Sequence, residues 1–116
     1  MSDPRAAWVV TPDGRVWNLR KFETPIRVGR SDDVELIVKN DTVSRIHALI
    51  DWHDDAHYVS DNETANGTRV DGIPLIAGQD AELTDGSEIL VGTVKLVYFL
   101  DGVNAARFAS DIVHET

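Results

Sequence analysis

With 116 residues, 42% of them hydrophobic and 27% charged, the chain is long enough for one globular domain with a core and too well mixed to be a disordered segment. It contains no cysteine, which excludes a disulfide framework, a thiolate metal centre and a cysteine nucleophile. A formal charge of −9 argues against bulk electrostatic binding to DNA, RNA or an anionic membrane.

The charge is unevenly spread: residues 1–48 hold eight basic and seven acidic side chains, and residues 49–116 hold three and thirteen. The start, Met1-Ser2-Asp3-Pro4-Arg5, leads into no apolar run of signal-peptide length. The longest apolar stretch, Leu96 to Leu100, is far too short to span a bilayer. A cytoplasmic protein is the expectation.

In chain order, runs rich in β-branched and aromatic residues occupy 8–11, 15–19, 25–28, 46–52, 57–60, 88–91 and 93–100. Period-2 alternation marks Arg15-Val16-Trp17-Asn18-Leu19, while Ala48-Leu49-Ile50 is continuously apolar and suits the centre of a sheet. Asx-Gly pairs at Asp13-Gly14, Asn66-Gly67, Asp71-Gly72, Asp85-Gly86 and Asp101-Gly102 supply residues that accept positive φ in tight turns. Many short strands between close turns predict an all-β sandwich or barrel. Residues 1–102 are expected to form that domain. Residues 103–116 read as a tail or a short helix capped by Asn104 and carrying Ala105, Ala106 and Phe108.

Three clusters lie at predicted strand ends, where side chains are held rigidly yet exposed. They are Val28-Gly29-Arg30-Ser31, Val43-Ser44-Arg45-Ile46-His47 and Thr64-Ala65-Asn66-Gly67-Thr68-Arg69. Guanidinium forks, hydroxyls, an amide and glycine-freed backbone N–H groups without a paired carboxylate base suit recognition of a multi-oxygen anion rather than its chemical conversion. Phosphate is the natural match.

The order Gly29-Arg30, Ser44-Arg45-Ile46-His47, Asn66-Gly67-Thr68 and Asp71-Gly72, followed by Leu83-Thr84-Asp85-Gly86-Ser87-Glu88-Ile89 and Gly92, resembles a forkhead-associated (FHA) domain. The resemblance runs from about residue 8 to residue 100. It implies a two-sheet β-sandwich of about eleven strands whose loops at one end bind phosphothreonine peptides. By position, Arg30 is then expected to contact the phosphate and adjoining peptide, Ser44 to donate its hydroxyl, and Arg45 to add a charged contact. Asn66 is expected to hold the ligand main chain, with Gly67 and Thr68 beside it. Gly29 and His47 are expected to support the site. Lys39, Thr42 and Arg69 fall in the loops that set sequence preference in this family. One departure is Ala65, where many members carry Ser or Thr; Thr68 and Arg45 are the candidates to compensate. The implied partner is a protein phosphorylated by a Ser/Thr kinase, bound by a monomer without cofactor, nucleic acid or membrane.

Rival readings of the same residues remain open. A phosphorylation-independent interaction or oligomerisation module fits the missing Ala65 hydroxyl and the acidic half of the chain. Ser44 with His47 three residues on suggests a hydrolase, but no acid is placed behind the histidine. His53 and His57 have a spacing that suits a metal only on a helix, and their flanks predict a hairpin turn instead. Asp61-Asn62-Glu63 fails as a calcium loop because its glycine falls out of register. Trp8, Trp17 and Trp52 belong to predicted strands and read as sheet-face residues. No catalytic or metal-ligating residue is therefore assigned.

Overall fold

Alternation and turn chemistry resolve, in the computed structural model, into eleven strands and one carboxy-terminal helix, described for residues 5–114. The first four residues, read above for targeting signals, and the last two of the expected tail lie outside the described residues. The strands are β1 (Trp8–Val10), β2 (Val16–Asn18), β3 (Ile26–Gly29), β4 (Leu36–Ile37), β5 (Ala48–His53), β6 (Ala56–Asp61), β7 (Thr68–Val70), β8 (Ile73–Pro74), β9 (Asp80–Glu82), β10 (Glu88–Val91) and β11 (Val94–Phe99). They form a six-stranded sheet, β2-β1-β11-β10-β7-β8, and a five-stranded sheet, β4-β3-β5-β6-β9. All pairings are antiparallel except β3 with β4. The expected two-sheet β-sandwich is what forms.

Inward residues of both sheets make one core, including Val9, Ile26, Val28, Leu36, Ala48, Ile50, Val59, Ile89, Val91 and Leu96. The apolar run Ala48–Ile50 lies in the middle strand of the five-stranded sheet, paired to β3 on one side and β6 on the other. Two buried polar rings complete the interior: Tyr98 and His57 meet through a 2.7 Å bond between the phenol oxygen and Nδ1. Burial, with a smaller contribution from Arg5, lowers the His57 imidazole to about 4. Burial and the nearby Asp85 push the Tyr98 phenol well above its ordinary value.

The β5–β6 connection is a tight hairpin with Asp54 and Asp55 at φ 51° and 61°, as the strand-like flanks of His53 and His57 predict. It places the two histidines apart: His57 enters the core, whereas exposed His53 bridges Asp54 and Asp80. Among the described residues no cluster of side chains suits a metal. Trp8, Trp17 and Trp52 all sit in strands, partly buried.

Four strands escape the sequence pattern: β4, β7, β8 and β9 are two or three residues long, too short to display alternation, and Asp80-Ala81-Glu82 reads as solvated loop. The helix α1 (Gly102–His114) starts earlier than expected. Its cap is Asp101, not Asn104: the Asp101 carboxylate accepts from Val103 N at 2.7 Å and from Asn104 N at 3.3 Å. Ala105, Phe108, Ala109 and Ile112 settle against Trp8, Val10 and Phe99 on the outer face of the six-stranded sheet. No described helix is long and apolar enough to cross a membrane.

Candidate functional site

The three residue clusters converge at one end of the sandwich, on the β3–β4, β4–β5 and β6–β7 loops. The first two are joined by a close backbone approach. As β3 ends, Arg30 N donates to Ser44 O at 2.9 Å, Ser31 N to Arg45 O at 3.2 Å, and His47 N to Val28 O at 2.7 Å. This approach requires glycine at position 29, where a Cβ would lie 2.1 Å from the Arg45 carbonyl oxygen. Arg30 then turns back so that its Nε donates to Val43 O at 3.0 Å, which fixes the plane of the guanidinium.

The third cluster is tied on through His47, whose side chain is fully buried. Its Nδ1 accepts from Ser44 N at 3.0 Å, so the ring proton resides on Nε2. That Nε2–H donates to Gly67 O at 2.8 Å. One imidazole thereby joins the Ser44 turn to the Asn66 turn. Because both ring nitrogens are engaged with the backbone, His47 is not placed to deprotonate the Ser44 hydroxyl, and the hydrolase arrangement lacks its base. Asn66 adds a second tie by donating its Nδ2 to Thr42 O at 2.7 Å.

Beneath the Asn66 turn lies Asp61, which the sequence presents only as a failed calcium loop. Its carboxylate accepts from Thr64 Oγ1 and Thr68 Oγ1, each at 2.7 Å, and from Thr64 N at 2.9 Å. Burial works against the ionised form, but the Thr68 and Thr64 hydroxyls outweigh it and hold the Asp61 carboxyl below its ordinary value. Thr64 Oγ1 also accepts from Gly67 N at 3.0 Å, closing a turn in which Gly67 has φ +75°. The signal for this scaffold in the sequence is the Asp-x-x-Thr spacing before Asn-Gly, an Asx-type turn.

The site residues expected from sequence fall into distinct groups. Arg30, Ser44, Arg45 and Asn66 are brought together at the loop end, with Gly29 and His47 beneath them. Among the described residues the Arg30 Nη groups, the Ser44 hydroxyl and the exposed Arg45 guanidinium have no protein partner, so these donors are left open to solvent at the loop end. Thr68 does not join them. It is buried, with its hydroxyl committed to Asp61, because strand β7 has already turned it inward. It is therefore not placed to compensate for Ala65. Gly67 shapes the loop rather than facing outward, since its N–H and its carbonyl are both engaged internally. Arg69 is also directed elsewhere: it is the exposed residue of β7, and its Nη1 donates to Gly72 O at 3.3 Å, toward the opposite end of its hairpin.

Lys39 and Thr42 brace the loop end. The Lys39 ammonium donates to Arg30 O at 2.7 Å and pairs with Asp32 at 2.6 Å. Thr42 meets Asn40 and Thr93 through its hydroxyl, at 2.6 and 2.9 Å. The β10–β11 turn comes so near that a Cβ on Gly92 would lie 2.4 Å from Thr42 O. The Arg30 and Arg45 guanidinium groups, with the Ser44 hydroxyl and the Asn66 amide near them in the chain path, give this loop end a local concentration of donors on a protein of net charge −9.

An eleven-stranded two-sheet sandwich with these motifs on its loop end is the arrangement that defines one class of domain. The FHA domain family model matches residues 26–92, and the chain belongs to that family. Over 74 residues it is 38% identical to Protein FraH of Nostoc sp., covering 64% of this chain and 26% of that protein. Over 82 residues it is 34% identical to the ABC transporter ATP-binding/permease protein Rv1747 of Mycobacterium tuberculosis, covering 71% of this chain and 9% of that protein. The chain therefore spans only a small part of the length of these two relatives. Among solved structures, one described as an analysis of phosphothreonine-dependent FHA domain interactions aligns with a TM-score of 0.73 and 26% identity, covering 83% of this chain and 97% of the other.

Proposed function

We propose that this chain is a non-enzymatic reader of phosphothreonine that docks onto a protein partner phosphorylated by a Ser/Thr kinase. The observation that supports the reading is the set of backbone and His47 ties that holds the segments bearing Arg30, Ser44, Arg45 and Asn66 side by side at one end of the sandwich. In this reading Arg30 and Arg45 neutralise the phosphate dianion, and Ser44 donates to one of its oxygens. Asn66 holds the peptide main chain on the far side. The phosphothreonine-dependent interactions described for the structural relative support the same assignment. The domain acts as a monomer, and no bond in the ligand is made or broken.

The magnitudes are consistent with reversible signalling. Hydrogen bonds involving charged groups contribute about 1.5–3 kcal/mol each. A handful of them, set against an association cost of about 4–15 kcal/mol, leaves room for an affinity near micromolar, about −8 kcal/mol. A carboxylate has less charge and fewer acceptor oxygens than phosphate, so Asp or Glu replaces phosphothreonine poorly. Ala65 contributes no hydroxyl, which places this affinity at the weaker end and keeps a phosphate-independent module as the second reading.

The test is titration of a phosphothreonine peptide library against its unphosphorylated twin. Saturable binding of the phosphorylated set alone, lost in Arg30→Ala and Ser44→Ala, is expected. Equal binding of both sets would overturn the reading in favour of the phosphate-independent module.

A further inference from the structure

The β10–β11 turn, Gly92-Thr93, belongs to none of the three residue clusters of the site, yet it touches the loops that carry two of them. Thr93 N donates to Thr42 Oγ1 at 2.9 Å, although the two residues stand 51 positions apart. Gly92 N reaches Gly67 O at 3.4 Å, on the turn that carries Asn66. The approach is close enough that a Cβ on Gly92 would lie 2.6 Å from the Thr42 hydroxyl oxygen.

Each proton between these loops has one place to go. Asn40 Oδ1 accepts from Thr42 N at 2.9 Å, which identifies it as the amide oxygen. Such an oxygen cannot donate, so its 2.6 Å bond to the Thr42 hydroxyl uses the single Thr42 proton. Thr93 Oγ1, 2.9 Å from Thr42 Oγ1, is then the donor of that pair. The Thr42 hydroxyl thus donates once and accepts twice, from the Thr93 N–H and the Thr93 hydroxyl. Residue 42 is held through both its N–H and its side chain, which fixes the direction of its carbonyl. Asn66 Nδ2 donates to that carbonyl at 2.7 Å.

We propose that Thr93 is a positioning residue of the receptor formed by Arg30, Ser44, Arg45 and Asn66: through Thr42 it sets the orientation of the Asn66 amide that meets the ligand main chain. The proposal rests on the phosphothreonine reading above. Asn66 is exposed, and among the described residues the Thr42 carbonyl is the partner that holds its side chain. That bond uses one Nδ2 proton and leaves Oδ1 and the second proton open to a peptide backbone. An exposed asparagine without such a tie samples several rotamers, and binding then costs the entropy of selecting one. Holding the amide in advance removes that cost. Arg30 N and Ser44 N are held by bonds to Ser44 O and His47 Nδ1, in which Thr93 takes no part. The effect of Thr93 therefore falls on the peptide main chain rather than on the phosphate.

The test is a double-mutant cycle on the whole chain, with binding of a phosphothreonine peptide read by fluorescence anisotropy. Thr93→Val keeps the shape and removes the hydroxyl proton, and it is expected to weaken binding about fivefold, with Thr93→Ser restoring it. In the Asn66→Ala background Thr93→Val is expected to cost nothing further. The side-chain NH2 signals of Asn66 give a second readout in the free protein, independent of how weakly Asn66→Ala binds. They are expected to move toward those of an unbonded amide in Thr93→Val and to return in Thr93→Ser. Unchanged affinity in Thr93→Val, the same loss with and without Asn66, or unmoved Asn66 signals would overturn the proposal. A loss that Thr93→Ser fails to restore would assign Thr93 to general stability and overturn it as well. Failure of the parent protein to prefer the phosphorylated peptide over its unphosphorylated twin would instead refute the phosphothreonine reading on which the proposal stands.

Discussion

Replacing Gly29 by alanine is the smallest change that strikes the framework of the receptor without touching any of its donors. The added Cβ would lie 2.1 Å from Arg45 O, whereas real Cβ contacts essentially never fall under 3.0 Å. The 44–46 segment must therefore retreat by roughly 0.9 Å or more. That retreat stretches the Arg30 N–Ser44 O and Ser31 N–Arg45 O bonds, now 2.9 and 3.2 Å, toward the limit of useful hydrogen bonding. Overpacking of this kind costs about 1–3 kcal/mol of stability. It also separates the Arg30 fork from the Ser44 hydroxyl, so that one charge-assisted bond to the ligand is lost, equivalent to an affinity loss of about tenfold or more. Urea unfolding gives the first quantity and anisotropy with a phosphothreonine peptide the second. A Gly29→Ala protein that melts and binds like the parent would refute the argument that this backbone approach sets the receptor geometry.

Other consequences follow from the same framework. Asp61→Asn sets an amide NH2, which cannot accept, against either the Thr64 N–H or the two threonine hydroxyls, so it is expected to lower stability by about 1–3 kcal/mol and to weaken phosphopeptide binding severalfold, read by thermal unfolding and titration. His57, at about 4 in the fold against an ordinary 6.5, leaves the unfolded chain binding the extra proton between those values. Stability is therefore expected to be fully present above pH 6.5 and to fall by about 3 kcal/mol as pH drops toward 4. Urea titrations across that range check the fall, and an imidazole NMR signal of His57 titrating near 6.5 would contradict its cause. Arg69→Ala is expected to leave phosphopeptide affinity unchanged, because its guanidinium reaches toward Gly72 rather than the receptor.

How far the sequence foretells this structure depends on how local each feature is. The long strands β5, β6 and β11 and the Asx-Gly turns are written in neighbouring residues and are legible directly. So is the set of donors, because Gly29-Arg30, Ser44-x-x-His47 and Asn66-Gly67 each bring unusual residues to a strand end. Which of those donors face outward is not local. Thr68 lies next to the receptor in sequence, yet its place as the first residue of β7 turns it into the core toward Asp61. Arg69, one residue on, faces solvent, but its hairpin offers a nearer carbonyl at Gly72. The edge strands β4, β8 and β9 exist by pairing with distant partners, and nothing in two or three residues announces that. Asp61 is the clearest case: its acidity beside Asn62 and Glu63 suggests a cation, whereas the fold surrounds it with threonine hydroxyls.

The central claim, that Arg30, Ser44, Arg45 and Asn66 form one receptor for phosphothreonine, is tested most directly by amide NMR during titration with a phosphothreonine peptide library. The account predicts shifts that saturate together and concentrate on 29–31, 44–47 and 65–67, absent with the unphosphorylated library and abolished in Arg30→Ala. Shifts that ignore phosphorylation, or that gather on another face of the sandwich, would contradict it.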